Sequence, residues 1–156
     1  MARVLGLMVS HLAMLGIGFA LGVYLLPVLI APPSPSAAEI EEAVEHALFT
    51  SSFDRERQDS DFLHWGEGEV ALSADMISFS GQLAPGPDYQ LYLSPQYIET
   101  EVAFNQLKPE MVRIGAIKTF DGFMLPITNG VDIQRYNTVV VWCETFGEFI
   151  TSGKYR

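Results

Sequence analysis

The sequence predicts a mainly β protein, an antiparallel β-sandwich or small barrel, preceded by one N-terminal transmembrane helix and a short amphipathic helix. Three observations carry that expectation. Val4 to Ala31 contains no Asp, Glu, Lys or Arg. From Phe62 onward, short runs of alternating apolar and polar residues lie between turn-forming residues, the period-2 pattern of half-buried strands. No helix-periodic stretch separates those runs, so the crossovers of a parallel sheet are not expected. A chain of 156 residues with one span has room for a single folded domain.

As a helix, Val4 to Ala31 would extend about 42 Å, against about 30 Å of hydrocarbon to cross. A cleavable signal has an apolar region of only about 7 to 15 residues, so an uncleaved anchor is expected even though Ser36 and Ala38 supply small residues for cleavage. Arg3 and the amino terminus flank one end of the span, while Pro32 to Ser51 holds four Glu and no Lys or Arg. The basic flank places the N-terminus in the cytoplasm and, in a bacterial inner membrane, the rest of the chain in the periplasm. Gly18 and Gly22 have the spacing of close helix packing, a weak homodimer signal, since glycine is common in such helices and chance gives the same spacing. His11, alone inside the span, has no second histidine to make a haem pair.

Pro32, Pro33 and Pro35 end this helix. Ser36 with Glu39 forms a capping box, and Ile40, Ala43, Val44, Ala47 and Leu48 recur on one face behind it. The opposite face, with Glu39, Glu42 and His46, reads as solvated. Thr50 to Asp61 is polar and aperiodic, as a linker or mobile loop would be. Strands are expected at Glu69–Ser73, Met76–Gln82, Tyr89–Ser94, Val112–Lys118, Phe123–Thr128, Thr138–Cys143 and Phe146–Thr151. They are broken at Ser73-Ala74-Asp75, Pro85 to Asp88, Asp121-Gly122, Asn129-Gly130 and Asn137. Asp121-Gly122 is the strongest hairpin signal. The expected division is residues 1–3 cytoplasmic, 4–31 anchor, 32–61 linker with its short helix and acidic loop, and 62–156 the β domain.

Charge narrows the partners. Eight of the nine basic residues follow the apolar run, against 19 acidic ones, and the net charge is −10. Phosphate binding needs clustered Lys and Arg, so nucleic acid is excluded as a partner. The membrane is the one partner the sequence names. A single cysteine, Cys143, excludes an intramolecular disulfide, a CxxC pair and a thiolate zinc cage. The motifs GxSxG, HExxH, the Walker loop and GxGxxG are all missing, and no metal set is expected.

His64-Trp65-Gly66-Glu67-Gly68 could place a titrating imidazole on a bend. The plainer reading is a strand entrance where His64 and Trp65 pack at the sheet edge. Blue copper is not expected, because Glu144 to Arg156 offers neither the His nor the Met that such a site takes from the loop after its cysteine. A c-type haem needs CxxCH. Non-covalent haem with a Cys or His ligand stays open. On a strand Thr138–Cys143, Val139, Val141 and Cys143 share one face and Thr138, Val140 and Trp142 the other. Buried, Cys143 is a small apolar residue; outside the cytoplasm, an unpaired thiol is either shielded or used.

The segments Gly86–Ser94 (GPDYQLYLS), Ile114–Ile127 (IGAIKTFDGFMLPI) and Val131–Gly153 (VDIQRYNTVVVWCETFGEFITSG) resemble the electron-transfer DM-thirteen domain family, over about Phe62 to Arg156. The pattern is met by His64, Gly68, Gly86, Pro87, Asp88, Leu93, Gly115, Pro126, Tyr136, Trp142, Cys143 and Phe146. The resemblance implies a β-sandwich whose cysteine acts in redox chemistry as a thiol or a prosthetic-group ligand, with His64 a weaker cofactor contact and an unknown redox protein as partner. Gly86, Pro87, Asp88, Pro126, Tyr136, Trp142 and Phe146 are its structural motif. Two functions follow as expectations: a membrane-anchored electron-transfer module centred on Cys143, or a non-catalytic periplasmic binding or assembly domain in which Cys143 is structural.

Overall fold

The computed structural model describes residues 1–128 and 130–156; Asn129, half of the expected Asn129-Gly130 break, lies outside them. The apolar run forms helix α1 (Ala2–Leu29), with Pro27 near its end, where few following residues depend on an intact hydrogen-bond ladder. It is long and apolar enough to cross a membrane. Helix α2 (Ala37–Glu45) begins at the Ser36–Glu39 capping box, with the Ser36 amide donating to Glu39 Oε2 at 2.8 Å. Ile40, on its apolar face, packs against Gly122 of the sheet below.

Eight strands follow: β1 (Phe49–Phe53), β2 (Gly66–Leu72), β3 (Met76–Leu83), β4 (Tyr89–Ser94), β5 (Val112–Ile117), β6 (Gly122–Pro126), β7 (Thr138–Cys143) and β8 (Glu148–Lys154). They build two antiparallel four-stranded sheets, ordered β1-β2-β3-β6 and β5-β4-β7-β8. The protein is therefore a mainly β-sandwich, as expected. Its core lies between the sheets, where Leu72, Ile77 and Phe79 meet Leu91, Leu93, Val139, Val141 and Ile150. Alternation along β7 puts Val139, Val141 and Cys143 in this core and turns Val140 and Trp142 outward. That division of faces is the one the period of a strand requires.

Three expectations are corrected. Phe49–Phe53, read in part as the start of a polar loop, is an edge strand paired with β2. Only Phe53 is fully buried there, so the alternation is too weak to see in FTSSF. The edge is held instead by contacts remote in sequence, such as Ser51 Oγ donating to the Lys154 carbonyl at 2.9 Å. A helix, α3 (Glu101–Leu107), interrupts the run of strands between β4 and β5. Its seven residues are fewer than two helical turns, and it is anchored by Thr100 as cap and by Phe104, buried on the outer face of the second sheet. Finally, Asp121-Gly122 does not close a hairpin. β5 pairs with β4 and β6 with β3, so this turn carries the chain from one sheet to the other. The Phe120 carbonyl accepts from Leu83 N at 2.7 Å and holds the crossing in place.

Candidate functional site at the Cys143 end of the sandwich

Cys143 is the last residue of β7 and pairs directly with Tyr89, the first residue of β4. Strand ends alternate into the core at both positions, so a thiol and a phenol meet at one mouth of the sandwich. Cys143 is 2% exposed, and its Sγ donates to the Pro87 carbonyl at 3.1 Å. Burial pushes the thiol above its ordinary range; the Phe146 and Thr145 amides oppose that shift, and the carboxylates of Asp88 and Glu148 add to it. The group is a protonated thiol at neutral pH, since no cation is placed to favour the thiolate.

Over this mouth lies a cleft of about 380 Å³. Leu63, His64, Pro85, Gly86, Pro87 and Phe146 form its walls on the sandwich side, with Tyr89 and Cys143 at the floor. The opposite wall is α1, through Phe19, Ala20, Leu21, Val23 and Tyr24. The walls are mainly apolar, with a few polar groups converging on them, the usual chemistry of a small-molecule site. Gly86 is required by contact: a Cβ there would stand 2.4 Å from Tyr89 Oη. The following turn is held by Asp88, which adopts φ 52° and accepts from Gln90 Nε2 at 2.8 Å. Its carbonyl accepts from Glu144 N at 3.1 Å, which ties this turn to the end of β7.

Tyr89 is 1% exposed, and among the described residues its Oη makes no hydrogen bond. Burial first, then the neighbouring Cys143, raise its phenol far above the ordinary value. It is a neutral donor without an acceptor, at the floor of the cleft. His64 has a carboxylate partner: its Nδ1 lies 3.2 Å from Asp61. Burial works against the Asp61 charge, but the Leu63 and His64 amides and the imidazole outweigh it and hold the carboxyl below its usual range. An ionised carboxylate only accepts, so Nδ1 carries the proton.

The residues expected to matter thus divide by place. Cys143, His64, Gly86, Pro87 and Phe146 line one cleft, with Asp88 in the turn beside it. Tyr136 precedes β7 and Pro126 ends β6, both at the other end of the sandwich. Trp142 faces away from the cleft and stacks on Phe104, with centroids 3.9 Å apart. Tyr89 and Asp61 were not anticipated. The spacing Asp-x-x-His was visible, but Tyr89 joins Cys143 only through strand register.

Glu144, next to Cys143 in the chain, is engaged elsewhere. Lys108 Nζ donates to its two oxygens at 2.8 and 2.7 Å, and Tyr92 Oη donates to it as well. Its burial opposes ionisation, yet the Lys108 and Tyr92 bonds hold its carboxyl below the usual range. A lowered folded pKa means stability that is present above the unfolded value, about 4.3, and lost as pH falls through the folded one. Glu144→Gln is therefore expected to flatten the acid limb of the stability profile. Urea midpoints measured between pH 7 and pH 3 check this, and an unchanged slope would contradict it.

Among the described residues, no three His, Cys, Asp or Glu side chains converge as a metal-binding group. A metal-centred prosthetic group ligated by Cys143 needs a thiolate. The protonated, carbonyl-bonded thiol flanked by acidic residues does not fit that role.

The fold is a two-sheet antiparallel β-sandwich with one thiol at its mouth, beside a helix long and apolar enough to cross a membrane. Residues 53–155 match the family model Electron transfer DM13, and the chain belongs to that family. No curated protein and no solved structure matches the chain.

Proposed function

We propose that the protein is a membrane-anchored electron-transfer domain that works on the periplasmic side of a bacterial inner membrane, with Cys143 as its redox group. The observation that carries this reading is the meeting of the Cys143 thiol and the unpartnered Tyr89 hydroxyl in one apolar cleft, within a chain of the DM13 family. The basic-then-acidic flanks of α1 support the orientation. His64, oriented by Asp61 on the cleft wall, is proposed as the second polar contact for whatever enters.

Cys143→Ser is the test. The full chain in detergent is reduced chemically and mixed with a one-electron acceptor protein. The parent is expected to give one electron per Cys143 thiol to the acceptor, releasing the thiol proton to solvent and leaving a thiyl radical, and the variant to lose that transfer, with folding within about 1 kcal/mol of the parent. Equal transfer by both would reject Cys143 as the centre.

A second reading is favoured by one observation, the 2% exposure of the thiol. In that reading Cys143 is a packing residue of a binding or assembly domain. Serine there leaves a hydroxyl near the same Pro87 carbonyl and no activity to lose. Native thiol labelling decides between the two: a raised thiol pKa predicts slow modification at pH 7 that accelerates with alkali before unfolding. A thiol that reacts only after denaturation supports the structural reading.

Topology has its own readout. A reporter fused after Arg156 is expected to be active on the periplasmic side only; cytoplasmic activity would reverse the orientation.

A further inference from the structure

We infer that the cleft over Cys143 is a binding site for a quinone-type ring delivered from the lipid phase. The inference deepens the electron-transfer reading and rests on it for the choice of a redox-active ring. Its own grounds are where the cleft opens and which polar atoms it offers.

The place follows from helix length. α1 has 28 residues, about 42 Å of helix, and about 20 of them fill a hydrocarbon core of about 30 Å. Counted from Val4, just after the single flanking Arg3, the core ends close to Val23. Tyr24 then stands at headgroup depth, where tyrosine is the favoured residue. The helix wall of the cleft, Phe19 to Tyr24, straddles this outer boundary. The sandwich side of the same mouth carries exposed apolar side chains: Phe146 is 51% exposed and Leu63 40%. A pocket so placed opens toward lipid, and its occupant is an amphiphile that partitions there.

The polar atoms choose the kind of head group. Tyr89 Oη is a donor with its side chain buried and no acceptor within the protein. That hydroxyl lines the open cleft, so a ligand acceptor placed there meets a donor that the protein leaves free. His64 has Nδ1 taken by Asp61, so Nε2 is the ring atom left for a ligand, and in neutral imidazole it accepts. Tyr89 can donate to a carbonyl oxygen of a quinone and His64 Nε2 can accept from a hydroxyl of its reduced form, so one donor and one acceptor on apolar walls fit the same flat ring in its two states. Pro85, Pro87 and Phe146 provide flat faces for the ring itself.

The probe is a fully substituted benzoquinone with a decyl tail, which has no free ring position for thiol addition. It is titrated into the full chain in phosphatidylcholine nanodiscs, with quenching of tryptophan fluorescence as the readout. Saturable quenching is expected in the parent. Tyr89→Phe, which keeps the ring and its packing, is expected to weaken binding roughly three- to tenfold. Ala20→Phe, on the exposed helix wall where folding does not depend on it, is expected to remove saturation by filling the cleft. Non-saturable quenching in the parent, as from probe dissolved in lipid alone, would overturn the inference. Affinity unchanged by both variants would do the same.

The fate of the electron-transfer reading is read separately. Binding kept while electron transfer is indifferent to Cys143 rejects that reading and leaves the site standing. Electron transfer lost in Cys143→Ser, with no probe bound by the parent, rejects the site and leaves the reading standing.

Discussion

Replacing Trp142 by alanine is expected to destabilise the domain by roughly 3 to 5 kcal/mol. The ring is 2% exposed and stacks on Phe104 with an interplanar angle of 8°. Phe104 in turn meets Tyr92 edge-on at 5.2 Å, and Phe149 and Ile98 complete the cluster. This cluster is the only link of its kind between α3 and the outer face of the β4–β7–β8 sheet among the described residues. Truncation would leave a cavity that neither a strand nor a short helix can close, so the loss is more than the transfer term. Urea denaturation of the full chain in detergent, followed by far-ultraviolet circular dichroism, measures it. A loss below about 1 kcal/mol would show that the stack contributes little.

Gly68→Val is expected to be as damaging, at about 2 to 6 kcal/mol, the sum of two independent costs. Gly68 has φ 140°, where a side chain is strained by about 1 to 3 kcal/mol. Its cross-strand partner is Gly81, and a Cβ on Gly68 would stand 2.3 Å from the Ser80 carbonyl oxygen and 2.5 Å from Gly81 Cα. Backbone cannot turn aside as a side chain can, so overpacking adds about 1 to 3 kcal/mol. The paired glycines let the Phe79 ring lie against the strands, with the Phe53 and Phe123 rings tilted against it. Comparing urea midpoints of Gly68→Val and Gly68→Ala separates the costs: the alanine variant carries the backbone strain and the nearest clash, and valine adds its branches. A valine variant as stable as the parent would mean that the strands separate there without loss.

Much of this fold was legible because it rests on local periodicity. β4 and β7 occupy the residues that alternation assigns them, and the faces of β7 follow from the strand period. The capping box at Ser36 needed only a spacing of three. What failed were readings that depend on partners. FTSSF is a strand because β2 and the Lys154 carbonyl lie beside it. Asp-Gly at 121–122 is a turn, as its residues require, but which sheets it joins is decided by the Leu83–Phe120 hydrogen bond. For the site, the turn at Pro85 to Asp88 and the thiol were visible as a set, while Pro126 and Tyr136 belong to the far end of the sandwich.

By itself the sequence determined the apolar span and its length, the strand periods, the single thiol, and the acidic balance of the chain. Each is a property of residues counted or spaced along the chain. Tertiary structure alone decided that Tyr89 faces Cys143, that Glu144 is committed to Lys108 and Tyr92, and that α1 walls the cleft. These are contacts between segments tens of residues apart. Strand register and sheet order set them by satisfying backbone hydrogen bonds and burying apolar faces across the whole domain, and no local pattern records the outcome.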